Sequence, residues 1–146
     1  MTDTDDNAAV PARFERSDET LRDLERRIRE GEDLPVDEVT ESAIDVVTDL
    51  LKAYLQILGR DWTGAEHDVL ALWKLAVKKN PSFNTIRDNC RELVYYRNCV
   101  EMDSQDSLPQ NAERQAVRTA RHVYLYLRSR AEEAGELEKA QGVGAG

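Results

Sequence analysis

The residue of this chain best suited to bind an anion is Arg97, which is followed by Asn98 near the end of a predicted helix. Apolar residues at positions 86, 90, 93 and 94 recur at helical spacing, and Arg97 is the next position on that stripe. An arginine on a core-facing stripe must be paired, or must line a cleft or a subunit interface. Three interpretations stay open: catalysis with a substitute base, contact with a phosphate, or an ion pair at an interface or core edge. The acid of that pair would be Asp88, Glu92 or Glu101 on the same helix, or an acid elsewhere.

A second group of candidate residues lies in the last third of the chain. Between positions 111 and 130 there are five arginines and one acid, in a chain of net charge -9. Arg114, Arg121 and Arg128 recur every seven residues, and Arg118 and His122 lie beside them. Such a row of cations can bind RNA, a nucleotide or an acidic protein partner. The alternative is intramolecular pairing or an ordinary solvated face.

The two histidines and two cysteines are predicted to have structural roles. His67 fits a surface or capping position, whereas His122 fits a half-exposed position from which it could instead approach Arg97. Cys90 and Cys99 are predicted to be buried thiols in a reducing compartment. The sequence has no Cys/His cluster with zinc spacing and no Gly-rich phosphate loop, so we expect neither a metal nor a cofactor.

Composition predicts a single soluble, helix-rich domain in the cytoplasm. The 146 residues are 40% hydrophobic and 34% charged, with no signal peptide and no run of about 20 apolar residues for a membrane helix. The acid excess, with 15 Arg against 5 Lys, favours a halophilic origin. Because the whole surface would repel nucleic acid, any such contact must use a local basic patch.

Apolar periodicity predicts an all-α protein. The predicted helices cover about 18–30, 36–58, 63–79, 83–101 and 109–133, between a disordered acidic leader (1–16) and a flexible tail (135–146). Thr63 with Glu66, and Ser107 with Gln110, have the spacing of capping boxes. The most apolar helix, 36–58, is predicted to be central. Four long helices joined by short loops favour an up-and-down four-helix bundle within 17–134, with the N-terminal helix as an addition.

Over residues 36–133 the chain resembles the HEPN superfamily, whose members are small all-helical domains built on a four-helix bundle. The resemblance is carried by Arg97 and Asn98 near the end of the third core helix, by the His67–Leu70 opening of the second, and by a polar, Pro-containing loop before the last. It implies that Arg97 and Asn98 take the catalytic motif positions of active members, in which Arg and His cleave RNA without metal across a dimer. Met102 stands in the place of the family's histidine, and a thioether cannot exchange a proton.

The same resemblance implies a homodimer, and we predict Tyr95, Tyr96 and Arg97 at its interface. The leading hypothesis is a non-catalytic or degenerate HEPN-like domain that binds RNA, a nucleotide or a protein partner, in a toxin–antitoxin or other defence module. A nucleotidyltransferase-like antitoxin would then be a partner, although Ser104 replaces the tyrosine that is modified in some toxin members. Two alternatives remain: a metal-independent endoribonuclease that uses Arg97, and a pure interaction scaffold.

Overall fold

A computed structural model of the chain describes residues 8–78 and 80–137, which contain helices and no strand. The α-helices are α1 (Val10–Arg29), α2 (Val36–Leu58), α3 (Val69–Val77), α4 (Arg87–Glu101) and α5 (Ala112–Glu133). Short 3-10 turns at Pro81–Ile86 and Gln105–Ser107 precede α4 and α5. The predicted all-α bundle with an additional N-terminal helix is confirmed.

The central helix is α2, as predicted, and it packs against each of the other four helices. Its start combines Pro35, whose ring presets the backbone, with Asp37 and Glu38 in the first turn, where acids interact favourably with the helix dipole. Its end is Gly59, which takes the left-handed conformation (φ 69°) that favours glycine. Leu50, Leu51 and other apolar side chains in between are fully buried.

The prediction of a disordered leader is wrong for residues 10–16, because α1 begins at Val10. Pro11 lies in the first turn of α1, where its missing N–H costs no helical hydrogen bond. Phe14 is 1% exposed and packs edge-on against Tyr124 of α5, with ring centroids 6.0 Å apart. Burying such a side chain contributes about 2–3 kcal/mol, which holds this first part of α1 on the bundle. Residues 1–7 of the predicted leader lie outside the described residues.

Neither predicted capping box forms. The N-cap of α3 is Asp68, whose Oδ1 accepts hydrogen bonds from the N–H groups of Leu70 and Ala71, both at 3.1 Å. Glu66 instead accepts from the N–H of Gly64 at 3.0 Å, so it stabilises the preceding turn. The predicted end of α3 at Lys79 and most of the flexible tail lie outside the described residues.

The start of α5 also differs from the prediction. Ser107 closes a 3-10 turn rather than capping a helix, and α5 begins only at Ala112. Asn111 precedes it with φ 59°, a left-handed conformation that asparagine adopts more readily than most residues. This residue turns the chain into α5.

Candidate functional site

Arg97 is partly buried on a flank of α4. Within residues 8–78 and 80–137, no hydrogen bond or ion pair involves its side chain. Of the three acids considered as partners, Asp88 is 84% exposed and contacts Arg87 at 3.4 Å. Glu101 is exposed, and Glu92 is bonded to other residues. The interpretation in which Arg97 pairs with an acid of its own helix is therefore wrong, and catalysis, phosphate contact and a pair with an acid elsewhere stay as predictions.

Glu92 links α4 to α5 across the seam between them. Its Oε2 accepts a hydrogen bond from the Tyr96 hydroxyl at 2.6 Å, and its Oε1 accepts one from Thr119 Oγ1 at 2.9 Å. Desolvation and the nearby carboxylate raise the pKa of Tyr96 well above its ordinary value. Because Tyr96 is only 3% exposed, it belongs to the core, and its predicted place in a dimer interface does not fit the structure.

The consecutive residues Tyr95, Tyr96 and Arg97 point in three directions, since successive helical residues are rotated by about 100°. Tyr95 is 49% exposed, and its hydroxyl donates to the Ser107 carbonyl at 3.2 Å. Asn98 is exposed, and Met102 is 74% exposed at the C-cap of α4. Met102 is the residue that the resemblance aligns with the histidine of HEPN members, and its thioether cannot exchange a proton.

His122 does not supply the missing acid–base group within the same chain. The bond between Glu92 and Thr119 sets the register of the antiparallel helices α4 and α5. His122 lies three residues from Thr119 toward the start of α4, whereas Arg97 lies five residues from Glu92 toward its end. At 1.5 Å per residue, this separates them by about 12 Å along the bundle. His67 lines a cleft between α1 and α2 that Arg97 does not line.

Two arginines of the predicted basic row are held by intramolecular ion pairs. The Nε and Nη2 groups of Arg121 each donate to Glu25 of α1 at 2.9 Å, and Nη1 donates to Asp18 at 2.8 Å. Arg128 donates to Glu132, one turn later on α5, at 2.9 Å. The structure therefore shows intramolecular pairing for Arg121 and Arg128, which was the alternative to ligand binding.

Arg114 and Arg118 differ from those two because they are exposed. No hydrogen bond or ion pair in the described part of the chain involves either side chain. They lie one turn apart on α5, and exposed His122 follows one turn later. On α4, exposed Arg91 and Tyr95 follow the same helical spacing.

Six exposed residues of α4 and α5 form one surface, here called the α4–α5 face. Helical spacing places them on the outward side of the Glu92 seam, because each is rotated away from the buried stripe of its own helix. The α4–α5 face consists of Arg87, Arg91, Tyr95, Arg114, Arg118 and His122. Asp88 and Glu101 of α4 and Glu133 of α5 are the acids at exposed positions of these two helices. Arg87 and Arg91 were missed in the sequence, although their spacing opposite the apolar stripe was the available signal.

Comparison of the chain with protein-family models, curated proteins and solved structures found no match. The resemblance to the HEPN superfamily thus depends on the residues quoted above. None of the helices in the described ranges is both long and apolar enough to cross a membrane. Among the same residues, no three His, Cys, Asp or Glu side chains are grouped so that they could hold a metal ion.

Proposed function

We propose that this chain is a HEPN-like helical bundle that binds RNA through the α4–α5 face and does not cleave it. The observation that carries the proposal is the pair Arg114 and Arg118, exposed one turn apart with no partner within the described residues. A guanidinium that is bound to no acid keeps its fork of donors for a phosphate. Phosphate contacts supply most of the affinity in RNA binding that is not sequence-specific.

The charge distribution supports this face over the rest of the surface. Residues 1–60 carry 16 acids and 8 bases. Within them α2 has 5 acids and 1 base and repels a polyanion, whereas α1 is nearly balanced with 5 acids and 6 bases. The repulsion would orient an approaching RNA toward the α4–α5 face. Tyr95 adds an exposed ring on which a base can stack. The hydrogen bond from its hydroxyl to the Ser107 carbonyl holds this ring in place.

Fluorescence anisotropy of a labelled single-stranded RNA tests the proposal. We expect Arg114→Ala/Arg118→Ala to weaken binding about tenfold, and to reduce the salt slope of log K by about 0.7 for each lost phosphate contact. The control is Arg26→Ala/Arg29→Ala, which removes the same charge from exposed positions of α1. Circular dichroism at each KCl concentration establishes that the chain stays folded.

Equal affinities of the two double variants, or no RNA binding by the folded wild-type chain, would contradict the proposal. The same RNA, incubated with the protein in EDTA, tests the endoribonuclease alternative. We expect the RNA to stay intact because Met102 cannot exchange a proton and His122 lies too far from Arg97. Cleavage that persists in EDTA and is lost in Arg97→Ala would instead establish an active enzyme.

A further inference from the structure

A polar cleft lies between α1 and α2, beside the loop that precedes α3. Its volume is about 540 Å³, which is within the size range of small-molecule sites. Asp45 of α2 and Glu66 and His67 of the loop line it, together with residues of α1. Neither Arg97 nor the α4–α5 face contributes to it. The cleft is thus independent of the proposed RNA-binding surface.

Four buried donor groups from facing helices line this cleft. Arg13 and Ser17 lie one turn apart on α1, and Thr48 and Lys52 lie one turn apart on α2. Arg13 is 1% exposed, Ser17 2%, Thr48 9% and Lys52 8%. A guanidinium, two hydroxyls and an ammonium group can all donate hydrogen bonds to an acceptor between the two helices.

Two of these donors are incompletely bonded. Arg13 donates from Nε to Gln56 at 2.7 Å and from Nη1 to Asp49, and it lies 5.6 Å from the Trp62 ring centroid. Its Nη2 has no hydrogen-bond partner among residues 8–78 and 80–137, and neither does the hydroxyl of Ser17. Buried polar groups almost always have partners, because losing water without a replacement bond is costly. Two such groups on adjacent turns of α1, lining one cleft, therefore indicate a ligand site.

The lining of the cleft carries three cationic side chains (Arg13, Arg16 and Lys52) and three carboxylates (Asp45, Asp49 and Glu66), so the buried hydrogen-bond donors, and not the net charge, favour an anion. Asp49 accepts hydrogen bonds from both Arg13 and Arg16, so two guanidinium groups share one carboxylate. Lys52 adds a further positive charge. Donors that approach from two opposed helices suit a tetrahedral phosphate better than a planar carboxylate, since phosphate accepts from several directions. Asp45 and Glu66 leave acceptors for hydroxyl or amino groups of the same ligand.

We infer that this cleft binds the phosphate group of a small phosphorylated molecule, with Arg13, Ser17 and Thr48 as its donors. Titration calorimetry of the full chain with inorganic phosphate, at constant ionic strength in KCl, tests the inference. We expect saturable binding, weakened at least fivefold by Ser17→Ala. Because that variant removes a buried hydroxyl that has no partner in the described part of the chain, we expect its urea midpoint to equal or exceed that of the wild type.

Thr40→Val is the matched control. Thr40 is also buried, and its hydroxyl has no partner among residues 8–78 and 80–137, but it does not line the cleft. It should leave phosphate binding unchanged, and so should Arg114→Ala/Arg118→Ala. No saturable phosphate binding, tighter binding of acetate than of phosphate, or equal weakening by Ser17→Ala and Thr40→Val would each overturn the inference. RNA binding by the α4–α5 face would be unaffected by that failure.

Discussion

Arg118 and Arg121 lie three residues apart on α5, and replacing each with alanine should have different effects. Arg121 joins α5 to α1 through three charge-assisted hydrogen bonds to Glu25 and Asp18. Arg118 is exposed, with no hydrogen bond or ion pair in the described part of the chain. We therefore expect Arg121→Ala to destabilise the fold, and Arg118→Ala to weaken RNA binding without lowering stability.

The degree of exposure sets the magnitude for Arg121. Its side chain is 20% exposed, and those of Asp18 and Glu25 are 22% and 32% exposed. Exposed ion pairs contribute about 0–1 kcal/mol, whereas removing one partner of a fully buried pair costs about 3–5 kcal/mol. The guanidinium also lies 4.9 Å from the Tyr124 ring centroid, a contact of about 0.5–1 kcal/mol. We expect Arg121→Ala to lower the free energy of unfolding by about 2 kcal/mol.

Urea denaturation followed by circular dichroism measures this difference. A loss of about 2 kcal/mol corresponds to a fall in Tm of about 6–8 °C for a domain of this size. Arg118→Ala should stay within about 0.5 kcal/mol of the wild type. High salt should narrow the gap between the variants, because it screens partly exposed charges. If the two variants unfold at the same urea concentration, the assignment of Arg121 to stability and of Arg118 to binding is wrong.

Three further outcomes follow from buried groups. Burial raises the pKa of Cys90 to about 12. The unfolded chain therefore loses this proton first, and stability should fall by up to about 1.4 kcal/mol per pH unit as the pH rises from about 9 toward 12. In a Cys99→Ser background, a thiol reagent at pH 8 should label Cys90 only in urea, and rapid labelling of the folded chain would refute this burial. Tyr96→Phe removes a hydrogen bond to Glu92 and should lower the free energy of unfolding, measured in urea, by about 1–2 kcal/mol. An unchanged midpoint would show that this hydrogen bond does not stabilise the fold. Phe14→Ala should cost about 3–4 kcal/mol, and a thermal melt like that of the wild type would show that the start of α1 contributes nothing to the bundle.

The helical architecture could be predicted because it depends on local periodicity. The apolar stripe of α2 and its stop at Gly59 are both readable from neighbouring residues. The start of α1 could not be predicted in this way. Arginine is usually an exposed residue type. Arg13 is nevertheless only 1% exposed, because Asp49, 36 residues later, accepts its hydrogen bond. The apolar stripe at the start of α1 is interrupted by Arg13, so local sequence predicts disorder there. The carboxylate that allows Arg13 to be buried is distant in sequence.

The candidate site was harder to predict because spacing along one helix does not identify partners on another. Arg114, Arg121 and Arg128 recur every seven residues, and a helix drifts by only about 20° over that interval. They nevertheless have different environments. The acids that bind Arg121 lie 96 and 103 residues earlier in the sequence, whereas Arg128 is paired on its own helix and Arg114 is exposed.

Arg97 differs from both kinds of arginine on α5. A paired arginine such as Arg121 contributes to the fold, and an exposed one such as Arg118 is fully hydrated and costs little. Arg97 is partly buried, yet the acids on its own helix do not bind it. A cation that has lost part of its hydration without gaining a carboxylate is less stable than either. This makes Arg97 the position on α4 where an added phosphate or the acid of a second subunit would contribute most per contact.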